Sequence, residues 1–146
     1  MATRSAIGIK HGDRIKAIYS HWDGYVEHVG LCLHTYYQSS TKVNNLIAMG
    51  DVSGIGAEIG EKHKFGNRAE YLPDGCATEC TFYQRDRGED APFKSFGSEE
   101  EFIEHYGHCG SEYFYLYDHG VWYVAHGSEF KPLHEALAKI LDKEKA

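Results

Sequence analysis

Arg14–Tyr25 reads RIKAIYSHWDGY, and the fold turns on how this stretch is parsed. Ile15, Ala17 and Tyr19 alternate with polar residues, the period of a half-buried strand. Upstream, Thr3–Lys10 (TRSAIGIK) has the same character, and His11-Gly12-Asp13 supplies turn chemistry between the two runs. The pair is expected to form a β-hairpin. Downstream, Asp23-Gly24 breaks the strand.

Beyond that break, Val26, Val29, Cys32, Leu33 and Tyr36 recur at helical spacing, which predicts a helix over Tyr25–Tyr37, weakened at Gly30. A second helix over Lys42–Met49 is expected, with Thr41 as its cap and Gly50 in the left-handed position beyond its end. Asp51–Gly60 (DVSGIGAEIG) reads as a glycine-bearing loop, followed by a polar excursion to Gly75. Ala77–Arg85 (ATECTFYQR) reads as a central strand. Ser98-Glu99-Glu100-Glu101 matches a capping box before a short helix ending near Tyr106. Glu112–Asp118, His119-Gly120 and Val121–Ala125 form the clearest hairpin signal. Pro132 opens a last helix with Leu133, Leu137, Ile140 and Leu141 on one stripe. This order lacks the strand–helix alternation of a doubly wound parallel sheet. The expected fold is α+β: one domain over residues 1–146, a mainly antiparallel sheet of about five strands, and three to four helices packed on it.

Composition narrows the function classes. The chain has 146 residues, 42% hydrophobic and 25% charged, which suffices for one core. Aromatic residues reach 14% with eleven tyrosines, a load that fits either a recognition surface or a β-rich core with wet edges. The net charge is −7, and the acidic excess concentrates in Glu89–Glu104. Such a surface repels phosphate backbones, so nucleic-acid binding is not expected. No run approaches a membrane span, and Met1–Lys10 has no long apolar stretch. A cytoplasmic protein with reduced thiols at Cys32, Cys76, Cys80 and Cys109 is therefore expected, with no disulfide framework.

Two clusters could carry chemistry. In His21-Trp22-Asp23-Gly24-Tyr25, the turn can present Trp22 and Tyr25 as flat stacking surfaces, with Asp23 orienting His21 or accepting from a ligand amine. The structural reading has Trp22 anchoring the turn to the core and Asp23 capping the helix that follows. In Arg85-Asp86-Arg87-Gly88-Glu89, a strand end would place Arg85 and Arg87 on one face, a candidate anion site. The same residues suit an internal salt-bridge network with Glu89. Glycines 50, 54, 56 and 60 lack the Gly-Lys-Ser/Thr ending of a phosphate loop. Cys76, Cys80, His105, His108 and Cys109 have the right atoms for a zinc site but a loose spacing, so no metal or other cofactor is assigned. No nucleophile signature surrounds any cysteine.

The runs TRSAIGI, IYSHWDGYVEHVG, LIAMGDVSGIGAEIGEKH, CTFYQRDRGED and GVWYV resemble, in this order, a family of small uncharacterised proteins encoded by phages and prophages. Val26 stands where a proline often follows the Asp-Gly-Tyr step, leaving that turn less rigid. The resemblance implies one shared architecture and carries over no catalytic role. Its phage setting implies a non-enzymatic binder that interferes with a host process, a defence system above all. The partner would be a host protein or a nucleotide-like small molecule held by His21, Trp22, Asp23, Tyr25, Arg85, Arg87 and Glu89; a homo-oligomer is compatible with the sequence. The alternatives are a small phosphoesterase using His21 and Asp23 as acid and base, and a zinc-stabilised interaction module.

Overall fold

Ala6, Ile7, Gly8 and Ile9 give the first strand an apolar character on both faces, and the structure uses both. The computed structural model describes residues 2–66 and 69–145. In chain order the elements are β1 (Arg4–His11), β2 (Arg14–Ser20), a π-helical turn over Val26–Gly30 running into α1 (Leu31–Tyr36), and α2 (Ser40–Ala48). Next come β3 (Val52–Gly54), β4 (Gly56–Glu58), β5 (Ala77–Glu79), β6 (Thr81–Phe82), α3 (Tyr83–Arg87), β7 (Lys94–Phe96) and α4 (Glu99–His108). The chain continues through β8 (Ser111–Asp118), β9 (Val121–Ala125), β10 (Lys131–Pro132) and α5 (Leu133–Lys145).

The two expected hairpins, β1–β2 and β8–β9, lie side by side in one mixed sheet of order β10-β9-β8-β1-β2-β3-β6, with β7 also pairing β2. They are joined by parallel pairing of β1 with β8, Ala6 opposite Phe114 and Gly8 opposite Leu116. A second parallel contact joins β2 to β3 at Ser20 and Val52. The α+β class thus holds, while eight strands in the main sheet and two in a small parallel β4–β5 sheet replace the five expected.

Both faces of the sheet are covered. Ile7, Ile9, Ile18, Tyr115 and Tyr117 point toward the side packed by α1, α2 and α5, where Leu33, Leu46, Ile47 and Leu133 complete the larger core. Ala6, Ala17, Phe114 and Leu116 face α4, which contributes Phe102 and Tyr106. Each fully buried Ile or Leu side chain contributes about 1.5–3 kcal/mol through burial. No helix among the described residues is long and apolar enough to cross a membrane.

Three local readings are corrected. Ala77–Arg85 is not one central strand. Its first part pairs β4, Thr81–Phe82 forms the edge of the main sheet, and Tyr83–Arg87 is a helical turn. The turn forms because the Asp86 carboxylate accepts the Phe82 amide at 2.8 Å and Gly88 closes it in the left-handed region, φ 74°. Ser39, rather than Thr41, caps α2, its side chain accepting from the Lys42 amide at 3.2 Å. Asp51–Gly60 is not merely a loop, since it contains β3 and β4. The Ser98 cap forms as read, its hydroxyl accepting from the Glu101 amide at 3.1 Å, while the Glu101 carboxylate accepts from the Gly97 amide at 2.9 Å instead of that of Ser98.

Candidate functional site

The strand–turn–helix passage at Ser20–Val29 is fixed by the backbone before any side chain acts. Past the end of β2, the amides of His21 and Trp22 donate to Val52 and Ser53 carbonyls, both at 3.1 Å, prolonging the pairing with β3. Asp23 then adopts a left-handed φ of 56°. That is an uncommon conformation for a residue with a Cβ, which Asp tolerates better than most. Its carbonyl accepts the Val29 amide at 3.2 Å. Gly24 donates to the Thr3 carbonyl at 2.8 Å and accepts from the buried Tyr115 hydroxyl at 2.6 Å. A Cβ on Gly24 would sit 2.7 Å from the Ser5 Cβ and 2.9 Å from the Thr3 carbonyl oxygen, so glycine is required for this close approach.

This passage presents Trp22 at the mouth of a cavity of about 450 Å³. Trp22 does not anchor the turn in the core; 49% of it is exposed. Asp23 also lines the cavity and is exposed. It does not cap the following helix, which has no side-chain cap. The π-helical turn and α1 contribute His28 and Cys32, the excursion after β4 contributes Phe65 and Tyr71, and the β5–β6 segment contributes Cys76, Glu79 and Thr81. Ionisable carboxylates on the wall are Asp23 and Glu79, and among the described residues no lysine or arginine lines it.

Of the seven residues read from the sequence, only Trp22 and Asp23 line this cavity. His21 contacts the Trp22 ring edge-on at 4.6 Å, but its Nδ1 is hydrogen-bonded to the Tyr19 hydroxyl at 2.7 Å. Burial, and then the charge of Arg4, push the His21 imidazole below its usual pKa. Tyr25 packs its ring edge-on against His28 at 4.8 Å. Among the described residues His21 and Asp23 share no hydrogen bond, so the acid–base pair of the phosphoesterase reading is not assembled.

The second cluster is closed upon itself. Arg85 sits on α3 instead of a strand, and all five of its N–H donors are engaged. Nε and one Nη2 proton reach the Asp86 carboxylate at 2.9 and 3.1 Å, and the other Nη2 proton reaches the Cys80 carbonyl at 3.0 Å. Nη1 spans the Ile59 and Gly60 carbonyls at 3.0 and 2.9 Å. Nothing is left for an anion. Burial pushes the Asp86 carboxyl up, but the Arg85 hydrogen bonds and the Phe82 and His63 amides outweigh it and hold the group below the usual carboxylate range. Arg87 pairs Glu89 at 3.0 Å and lies over the Phe65 ring, 4.9 Å from its centroid. The internal salt-bridge reading is therefore the one the structure adopts. Through Phe65 and the Ile59–His63 backbone this cluster braces the cavity wall from behind.

The candidate zinc ligands are dispersed. Cys76 lies beside Cys32 in the cavity wall. Cys80 is buried, receives the Gly56 amide at 3.2 Å, and lies 3.3 Å from the Tyr37 hydroxyl. His105 packs on Phe96 under α4, and His108 and Cys109 are exposed at the end of that helix. Among the described residues no three His, Cys, Asp or Glu side chains are placed to hold a metal ion.

Phe65, Tyr71, Glu79 and the Cys32–Cys76 pair escaped the sequence reading. The available signal was two aromatics inside an otherwise polar, glycine-bearing stretch. In comparison with known proteins, the chain matches no family model, no curated protein and no solved structure.

Proposed function

We propose that this chain is a binding protein whose cavity beside the Trp22–Asp23 turn takes a planar aromatic molecule, a nucleobase or nucleoside, read by stacking and by hydrogen bonds to its amino groups. The observation that carries the reading is the half-exposed indole of Trp22 at the mouth of a cavity of about 450 Å³, beside an Asp held at positive φ. Large aromatics left open to solvent at a concave site, and backbone held in a sparsely populated conformation, both concentrate where ligands bind. Asp23 and Glu79 accept from exocyclic amino groups, while Arg85 and Arg87 are occupied elsewhere. Among the described residues no lysine or arginine lines the cavity, so a phosphate on the ligand is expected to point out to solvent. The resemblance to phage proteins supplies the context: sequestration of a nucleotide-like signal in the host cytoplasm, against a defence process.

The test is a titration of tryptophan fluorescence with adenosine, guanosine, cytidine and their 5′-monophosphates. Trp122 is buried, so the ligand-sensitive signal belongs to Trp22. A saturable change is expected with at least one nucleoside, with its phosphate adding little affinity, and is expected to vanish in Trp22→Phe. No change with any of them up to millimolar concentration overturns the reading.

A second reading follows from Trp22 and Tyr71 together, 49% and 67% exposed and both on the cavity rim. Exposed aromatic pairs are typical anchors of protein interfaces. A host protein bound this way would be lost on Trp22→Ala or Tyr71→Ala, in an assay where nucleosides do not compete.

A further inference from the structure

Cys32 and Tyr36 stand one turn apart on α1, so their side chains leave the helix on the same face. The segment Asp74–Cys76 lies along that face like the second rail of a ladder. On one rung the Tyr36 hydroxyl donates to the Asp74 carboxylate. On the other, Cys76 meets Cys32. The Asp74 carboxylate also accepts the Cys76 amide at 3.0 Å, which ties the two rungs into one unit. Both thiols are free, both are packed into the larger core, and both line the cavity.

The two sulfurs are not equivalent. Cys76 is 6% exposed and Cys32 1%, so Cys76 is the sulfur that an oxidant in the cavity reaches first. The contact between them also pushes the Cys76 thiol below its usual pKa and the Cys32 thiol above it. Among the described residues no other cysteine lines this cavity. Cys80 is pushed up by burial and held by Tyr37 and Gly56, and Cys109 is solvent-exposed at the end of α4.

We propose that Cys32 and Cys76 form a redox-active dithiol that closes to a disulfide when a small disulfide oxidant enters the cavity. The Cys76 thiolate attacks one sulfur of the oxidant. An S–S bond forms to Cys76, the S–S bond of the oxidant breaks, and the departing thiolate takes up a proton. Cys32 then gives its proton to solvent and attacks the Cys76 sulfur, forming the internal disulfide and expelling the second thiolate, which is protonated in turn. The protein dithiol loses two electrons and two protons, and the oxidant becomes two thiols. Since both sulfurs are part of the wall, closure changes the cavity itself, independently of which ligand it binds.

The experiment treats the full-length protein at neutral pH with bis(2-hydroxyethyl) disulfide, followed by unfolding, alkylation and peptide mass mapping. The expected product is lighter by two hydrogens, with Cys32 joined to Cys76 while Cys80 and Cys109 are alkylated. Cys32→Ser is expected to stop at the mixed disulfide on Cys76. Cys76→Ser is expected to leave Cys32 alkylated. Recovery of both Cys32 and Cys76 as alkylated residues from the treated wild type overturns the proposal, as does linkage through Cys80 or Cys109. If Cys32→Ser does not fold, the wild-type map decides alone.

Discussion

The guanidinium of Arg85 grips the carboxylate of its own neighbour, Asp86, through two hydrogen bonds of 2.9 and 3.1 Å, and the Asp86 side chain is wholly buried. Asp86 also receives the Phe82 and His63 amides, so one carboxylate ties α3, β6 and the excursion after β4 together. Asp86→Asn leaves the Arg85 charge without its counterion, and an unpaired buried charge costs about 3 kcal/mol or more. Urea unfolding at pH 7 should show that loss. The native carboxyl pKa is depressed, so the wild-type advantage is complete above the unfolded value of about 4 and shrinks as pH falls through the native value. The two unfolding curves should therefore converge in acid; a gap that stays constant down to low pH contradicts the pairing.

The two tryptophans should behave oppositely. Trp22 is 49% exposed, and Trp22→Ala should change stability by no more than about 0.5 kcal/mol. Trp122 is 6% exposed and donates its indole N–H to the Tyr37 carbonyl at 2.8 Å, so Trp122→Ala should cost about 3–5 kcal/mol. Iodide should quench the Trp22 emission and leave that of Trp122 largely untouched.

The turn beneath the cavity mouth should be sensitive at Gly24. A Cβ there meets the Thr3 backbone carbonyl, which cannot swing aside as a side chain does. Gly24→Ala should destabilise by about 1–3 kcal/mol and displace Trp22, seen as a shift in its emission maximum. Tyr115→Phe removes the hydroxyl that donates to the Gly24 carbonyl and should cost about 1 kcal/mol. Equal stabilities of these variants and the wild type, measured by chemical denaturation, would show that the turn is not pinned as described.

His21 should titrate below the ordinary histidine range, because burial and Arg4 disfavour its charged form. A depressed native pKa means that its contribution to stability is full above the unfolded value of about 6.5 and is lost as pH falls through the native value. Proton NMR of the imidazole should show a midpoint under 6.5, moving upward in Arg4→Ala. A midpoint at or above the free value contradicts the geometry.

Elements whose signals are local were readable. The hairpin turn at Gly12, the Ser98 cap, the left-handed Gly50 and the stripe of Leu133, Leu137 and Ile140 on α5, from which Leu141 departs into solvent, each rest on a few adjacent residues. Features set by distant partners were not. Ala77–Arg85 has a strand's composition, yet Asp86 captures the Phe82 amide and turns the chain, a contact that composition does not encode. β3 and β4 span three residues each, too short for alternation to show. Half of the candidate site was legible, because Trp22 and Asp23 stand in a conspicuous aromatic turn. The other half comes from Phe65, Tyr71 and Glu79, brought near only by the fold. The arginine pair misled because mixed charges suit a ligand and a closed network equally well.

The parallel contact between β1 and β8 has a consequence for synthesis. Residues 4–9 find their central partner in residues 111–117, near the opposite end of the chain. While the protein emerges from the ribosome, the β1–β2 hairpin must wait with its β1 edge unpaired until residues 111–117 have been made. Pairings so distant in sequence close late and expose sticky edges meanwhile. Yield in the cell should then depend on how quickly the ribosome covers the stretch between the two hairpins, and on chaperones that shield a waiting strand.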